Sequence, residues 1–291
     1  MKKRIKVSQV ALYGILTLIS VLWIIPVLFI FSLSVTPETS LSEVGYRLIP
    51  KEITFDAYAY IIKNPAQILN SYKISIIVTV IGTVAGLMFT TGIAYAMSRK
   101  DFKLGKHITR FVMFAMLFHG GLIPTYLVVV KAGLKNSIWS LILPGALPVS
   151  NMIILMNFIR GLPEELEEAA MIDGAGTVKI LVRIILPLLK PALATVGLFS
   201  IVGHWNDWFA GMIYMSRAEN YPLQTYLQSL MVSFEQMMQK SGTDYTVLLS
   251  MMNARTGRAA QLFLAALPVM MIYPFLQKYF TKGLVLGSVK G

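Results

Sequence analysis

The chain contains no cysteine, which excludes disulfides, a thiolate nucleophile and sulfur-ligated metal, and leaves the redox compartment open. Its three histidines (His107, His119 and His204) are far apart and form no HExxH or paired-ligand pattern, so no metal site is expected. A GxxxxGK(S/T) loop is missing, which excludes nucleotide binding by a P-loop. No triad or paired-carboxylate arrangement argues for chemistry, so no catalytic residue is assigned. Charge itself is scarce: 14% of the 291 residues are Asp, Glu, Lys or Arg, against roughly a quarter in a soluble domain.

What fills the chain instead is apolar. Hydrophobic residues make up 56% of it, gathered in runs close to the ~20 residues a helix needs to cross roughly 30 Å of hydrocarbon. The pattern predicts an all-α membrane protein with six transmembrane helices: Gln9 to Leu33, Lys73 to Met97, Ile108 to Val130, Ile138 to Ile159, Pro191 to Tyr214 and Ala259 to Phe280. Basic residues number 26, and 16 of them fall in residues 2–6, 99–110, 160–190 and the C-terminal end. Positive charge resists translocation, so both termini are expected in the cytoplasm. Basic residues clustered at the ends of apolar runs mark a polytopic membrane protein rather than a phosphate-binding face, and nucleic acid is not an expected partner. The basic start resembles a signal-peptide n-region, but the apolar run behind it is too long and no small-x-small cleavage site follows, so it reads as a retained first helix.

The chain divides into residues 1–34 (first helix), 35–70 (external loop with Pro37, Pro50 and Pro65), 71–280 (membrane core) and 281–291 (cytoplasmic tail). The external loop 215–258 is the longest, and Leu223, Tyr226, Leu227 and Leu230 predict a helix inside it. Gly82, Gly86 and Gly92, with Thr83 and Thr90, form a small-residue stripe suited to close packing against another membrane subunit. Asn206 and Asp207 are polar groups late in an apolar run and candidates for lining a pathway. Trp139, Trp205 and Trp208 read as interfacial anchors.

The cytoplasmic stretch 160–190 is the most unusual. Pro163 sits where a first helical residue is favoured, because its missing N–H would be unpaired there anyway. Glu164, Glu165, Glu167 and Glu168 load the first turns with negative charge, which suits the positive end of a helix dipole. Ala169, Ala170 and Met171 supply a small apolar face, Asp173-Gly174 stops the helix, and Gly176 keeps the turn tight. A second, amphipathic helix follows through Ile180, Leu181, Ile184 and Ile185, and Pro187 and Pro191 mark re-entry into the membrane. The result is a short helix at the inner surface shaped to fit a groove on a soluble partner.

Glu168-Ala169-Ala170, three residues, Gly174, nine residues and Ile184-Ile185-Leu186-Pro187 resemble the EAA signature of ABC importer permeases at every signature position. Tyr221-Pro222-Leu223-Gln224-Thr225-Tyr226-Leu227 and Trp205-Asn206-Asp207-Trp208 look like segments of the carbohydrate-importing, maltose-type permeases. The ending Gly283 to Gly291 resembles the tail of the second permease of that pair. Gly120 to Tyr126 and Pro163 to Glu168 look like the subgroup for oligosaccharides of complex, often acidic polysaccharides such as alginate or pectin. An aromatic residue is common in the family near Leu181 and Val182, so docking contacts there are expected to be less bulky.

The resemblance implies a type I ABC importer permease fold in a bacterial inner membrane. It implies a second permease, an ABC ATPase dimer and an extracytoplasmic solute-binding protein as partners, besides membrane lipid. ATP and Mg would be bound by the ATPase subunits, with no cofactor in this chain. Glu168, Ala169, Ala170, Asp173 and Gly174 would couple to the ATPase; Gly287, Ser288, Val289 and Lys290 would contact it through the tail; Gln239, Lys240, Thr243, Asp244 and Tyr245 would meet the binding protein. A permease of the same superfamily for peptides or another solute, and a stand-alone secondary carrier, are the alternatives; a carrier typically shows inverted repeats and broken helices.

Overall fold

In hydrocarbon a backbone must satisfy its own N–H and C=O groups, and the first two apolar runs do so as single long helices. The structure, a computed structural model, describes residues 7–63, 66–118, 120–240 and 255–268, with 270, 271 and 274. Helix α1 covers Val7–Ser34; after the short helices α2 (Glu38–Val44) and α3 (Asp56–Lys63), α4 covers Ala66–Ser98. These two are long and apolar enough to cross a membrane on their own.

The other runs are interrupted. The third splits into α5 (Gly105–Leu117) and α6 (Leu122–Lys131), the latter entered through Gly121 at φ +87°. The fourth opens as α7 (Trp139–Ile142), tightens into a 3₁₀ turn over Leu143–Gly145 and resumes 49° off axis as α8 (Val149–Arg160). Pro144 and Pro148 bring no N–H to that turn, which is why the helix cannot run through it. Helices α9 (Glu165–Ile172), α10 (Thr177–Ile180) and α11 (Leu186–Leu188) form the loop between the fourth and fifth runs. The fifth run is α12 (Lys190–Asn206) followed, after Asp207-Trp208, by the short α13 (Phe209–Tyr214). Counting as one span each of the bent pairs α5 with α6, α7 with α8, and the helical stretch 177–188 with α12, which meet at 83°, gives up to five among the described residues. Six uninterrupted spans are therefore not what the structure has: the third to fifth are broken, and the expected span 259–280 is helical to 268 with most of its remainder outside the described residues. The helix expected in loop 215–258 is α14 (Leu223–Lys240), with Leu223 and Leu227 buried.

Contacts divide the chain into two units, residues 1–68 with 227–268, and 69–226 with 269–291. In the first, the Phe31 and Phe263 rings meet at 4.9 Å, Ser34 Oγ shares a 2.7 Å hydrogen bond with the Tyr58 hydroxyl, and Thr256 N–H donates to Glu38 Oε2 at 3.3 Å. In the second, one apolar cluster joins the end of α4 (Ala94, Tyr95, Met97) to α8, α9 and α12, and another joins Ile74 and Val78 to Ile142 and Tyr214.

Polarity along α4 is inverted relative to a soluble helix. Ser71, Ser75, Thr79, Thr83, Thr90 and Thr91 are buried, while Ile76, Val80, Val84, Met88 and Phe89 are exposed. Small hydroxyl residues let helices approach, and large apolar ones face lipid. The glycine stripe is consumed inside the chain: a Cβ on Gly82 would lie 2.6 Å from His204 Nε2, and one on Gly86 3.3 Å from the Ala146 carbonyl, whereas Gly92 meets nothing. Its expected use against another subunit thus gives way to packing on α12 and on the break before α8. Trp205 also departs from expectation: it is buried, 6.3 Å from the Tyr72 ring, whereas Trp139 and Trp208 are exposed as anchors are.

Candidate functional site

The loop 160–190 begins where α8 ends, with the Arg160 guanidinium donating to the Met97 carbonyl at 3.3 Å. α9 starts at Glu165, two residues after Pro163, with the Leu166 N–H donating to the Pro163 carbonyl and those of Glu167 and Glu168 to the Glu164 carbonyl. Acidic residues occupy its first turn as the dipole favours. Its far end is closed as the Asp173-Gly174 pair predicts. Gly174 adopts φ +75°, its N–H donates to Met171 O, and the Ala175 N–H donates to Ala170 O. This is a Schellman closure, which needs a left-handed residue and therefore favours glycine.

Burial sorts the signature residues. Ala170 turns inward onto the apolar cluster, while Glu168, Ala169, Asp173 and Gly174 are exposed. Beside them stand two bulky residues that sequence reasoning passed over, Ile172 at 86% and Val178 at 74% exposure. Ile180 and Ile185 are fully buried, so the loop presents an apolar tip on a rooted base. Between α10 and α11 the chain makes a π turn over Leu181–Ile185, with the Leu186 N–H donating to Leu181 O. Pro187 explains it: its ring crowds the carbonyl four residues back and its nitrogen cannot donate, so the preceding turn widens.

The loop is clamped to the last turn of α4. The Tyr95 hydroxyl donates to Glu167 Oε2 at 3.4 Å, and Arg99 Nη1 donates to the Tyr95 hydroxyl at 3.3 Å and to Thr177 Oγ1 at 3.4 Å. Arg99 Nε and Nη2 hold the Asp101 carboxylate at 2.8 and 2.6 Å, and Lys100 pairs with Glu164 at 2.7 Å. The Arg99 hydrogen bonds keep the Asp101 carboxyl below the usual carboxylate range, and Glu164 raises the Lys100 ammonium. The Arg99 side chain is 13% exposed and central to the clamp. Sequence reasoning counted Arg99 and Lys100 only as charges that orient the chain, since their partners Glu164 and Thr177 lie 64 and 78 residues away.

A second feature lies within the membrane core. A cavity of about 580 Å³ sits at the breaks of the fourth and fifth runs, lined by residues of α7, α8, α12 and α13. Asp207 is on its wall; Asn206, its expected companion, is exposed but not part of the lining. Asp207 also caps α13, its Oδ1 accepting the N–H groups of Phe209 and Ala210 at 3.1 and 3.0 Å. Asn151, Ser200 and His204 line the same cavity and carried no recognisable spacing. Among the described residues no group of three His, Asp or Glu side chains is placed to hold a metal. Gln239 and Lys240 end α14, but their side chains, like Thr243, Asp244, Tyr245, His119 and the tail residues Gly287 to Lys290, lie outside the described residues.

With this geometry in hand, comparison with known proteins is specific. A family model described as "Binding-protein-dependent transport system inner membrane component" matches residues 88–285. "Protein LplC" of Bacillus subtilis is 40% identical over 269 residues, covering 92% of this chain and 90% of that protein. The "Polygalacturonan/rhamnogalacturonan transport system permease protein YtcP" of the same organism is 36% identical over 294 residues, covering 100% of both. A crystal structure of "a bacterial ABC transporter involved in the import of the acidic polysaccharide alginate" contains a chain that superposes with a TM-score of 0.81 at 27% identity, covering 96% of this chain and 100% of that one.

Proposed function

Because the chain belongs to the family of binding-protein-dependent transport system inner membrane components, we propose that it forms half of the translocation pathway of an ATP-driven oligosaccharide importer and couples that pathway to ATPase subunits through α9. It is a carbohydrate-importing ABC transporter permease of the all-α membrane type, related to several Bacillus sugar-import permeases, and a transport subunit rather than an enzyme. Its partners under this reading are a second permease, an ABC ATPase dimer that binds ATP and Mg, and an external solute-binding protein. The positive-inside pattern supports placing α9 and both termini in the cytoplasm.

The observation that carries the coupling role is the exposed tip formed by Met171, Ile172 and Val178 around the Gly174 turn. Apolar side chains this exposed beside a polar helix fit a groove on another protein. Closure at Gly174 and the Tyr95–Arg99 clamp make the tip stiff enough to transmit a push into α4 and α8. Glu168, Ala169 and Asp173 would meet the ATPase alongside the tip, with Ala170 as its inward anchor. The tail Gly287 to Lys290 would reach the ATPase as well, and Gln239, Lys240, Thr243, Asp244 and Tyr245 the binding protein. Asn206 and Asp207 remain the candidates for the pathway wall.

Relatives named for polygalacturonan, rhamnogalacturonan, arabinooligosaccharides and galactooligosaccharides, with the alginate importer among structures, support a cargo cut from a complex polysaccharide, and the resemblance of the ending Gly283 to Gly291 is what favours a place as second permease of the pair. The test is co-purification with the ATPase subunits, followed by binding-protein-stimulated ATP hydrolysis across an oligosaccharide panel. Uptake that survives without any ATPase subunit, driven by protons or sodium, sinks the reading.

A further inference from the structure

The cavity at the breaks of the fourth and fifth runs is built to be wet. Irregular backbone at membrane depth persists only where protein buries it or where it lines water, and two such breaks meet here, at Pro144–Pro148 and at Asp207-Trp208. Polar side chains converge on the same volume. Asn151 is 6% exposed, and its one side-chain bond among the described residues is a long 3.4 Å contact from Nδ2 to Ser200 Oγ. A buried amide has four hydrogen-bonding capacities, so most of what Asn151 can do is left for something inside the cavity. His204 lines the same wall, and Asp207 spends only Oδ1 on capping α13.

The chemistry of the wall selects its occupant. Phe199 and Phe209 offer apolar ring surface next to these polar groups, the combination that receives a molecule with one apolar face and a rim of hydroxyls. Sugar hydroxyls donate to a carboxylate and exchange bonds with an amide. A carboxylate on the ligand needs an Arg or Lys for paired, charge-assisted bonds. The wall contains neither, and Asp207 would repel such a group. We propose that this cavity is a sugar subsite contributed by this chain, selective for a neutral, hydroxyl-bearing ring and closed to a uronate. It rests on the importer reading and refines it: where the cargo mixes neutral and acidic units, the acidic ones are held outside this chain.

The experiment uses the assembled importer, with partner permease and ATPase subunits, in nanodiscs. The probe is a neutral trisaccharide carrying a diazirine. The competitors are the same trisaccharide unlabelled and its uronate counterpart, which differs only in bearing a carboxylate where each ring has a hydroxymethyl group. Photolabel is expected on peptides containing Asn151 or residues 199–209. The neutral competitor should displace it at a roughly tenfold lower concentration than the uronate, the size of one well-made interaction difference. Asp207→Asn keeps a capping oxygen while removing the charge, and should bring the two competitors to near equality. Label confined to the partner permease, equal or better displacement by the uronate in the unmodified complex, or an unchanged ratio in Asp207→Asn would each overturn the subsite. The wild-type ratio decides the matter even if that variant fails to assemble. Failure of the importer reading shows separately, as absence of ATP-driven uptake of any sugar by the same complex in liposomes.

Discussion

Gly174 has open space around it yet sits at φ +75°, so backbone strain rather than crowding decides what can replace it. Alanine there costs about 1–2 kcal/mol of local stability, and proline, locked near −65°, breaks the closure outright. We expect Gly174→Ala to reduce sugar-stimulated ATP hydrolysis several-fold, and Gly174→Pro to abolish uptake while leaving membrane insertion intact; uptake at wild-type rates in both would remove the turn from the mechanism. The two cations of the clamp should part company. Lys100 and Glu164 are 82% and 61% exposed, where water screens the pair and leaves it little net stabilisation. Arg99 is largely buried and holds three partners, where hydrogen bonds to a charged group contribute on the order of 1.5–3 kcal/mol. Thermal unfolding of the detergent-solubilised complex should therefore shift clearly for Arg99→Ala and barely for Lys100→Ala. The turn at Asp173-Gly174 was legible in the sequence because its geometry is local. The clamp was not, because nothing in residues 95–101 names partners so far along the chain.

At the scale of elements, the loop 160–190 joins three devices: an acidic helix start, a left-handed stop and a π turn. The π turn sets the rotational phase between α9 and α12, since it carries one more residue than an α turn. Pro187→Ala restores the missing donor, so the turn should relax toward regular helix and rotate the tip relative to the membrane helices. We expect normal assembly with the ATPase but strongly reduced transport, read as ATP hydrolysed per sugar moved. The tip itself is tested by Ile172→Glu with Val178→Glu, which should lower recovery of the ATPase subunits on affinity purification at least tenfold without changing the amount of chain in the membrane. Helix α1 could be read from its apolar run almost to its ends and α4 to its last turn, but α4 starts at Ala66, seven residues before the expected Lys73, because its first two turns are too polar to extend the run. The breaks inside the later runs were marked by Gly121, Pro144 and Pro148, but the apolar residues on both sides carry enough hydropathy to hide an interruption from a count of length.

Across the whole molecule, orientation is the property on which every role depends. Because the natural chain lacks cysteine, Ile172→Cys introduces a single thiol at an 86% exposed position. A membrane-impermeant maleimide should label it in inverted vesicles and not in intact cells, and the reverse would place α9 beyond the reach of any cytoplasmic ATPase. Fold class and the signature loop were readable from composition and spacing; the cavity was not, since Asn151, Ser200 and Asp207 meet only after separate helices pack. The seat of His204 on Gly82 brings a consequence for how the protein is made. The two residues are 122 positions apart, so at the pace of synthesis α4 waits roughly 6–24 s for its partner helix. Through that interval the Gly82 face of α4 lacks the cover that α12 will give it, while Ala146 can already seat against Gly86.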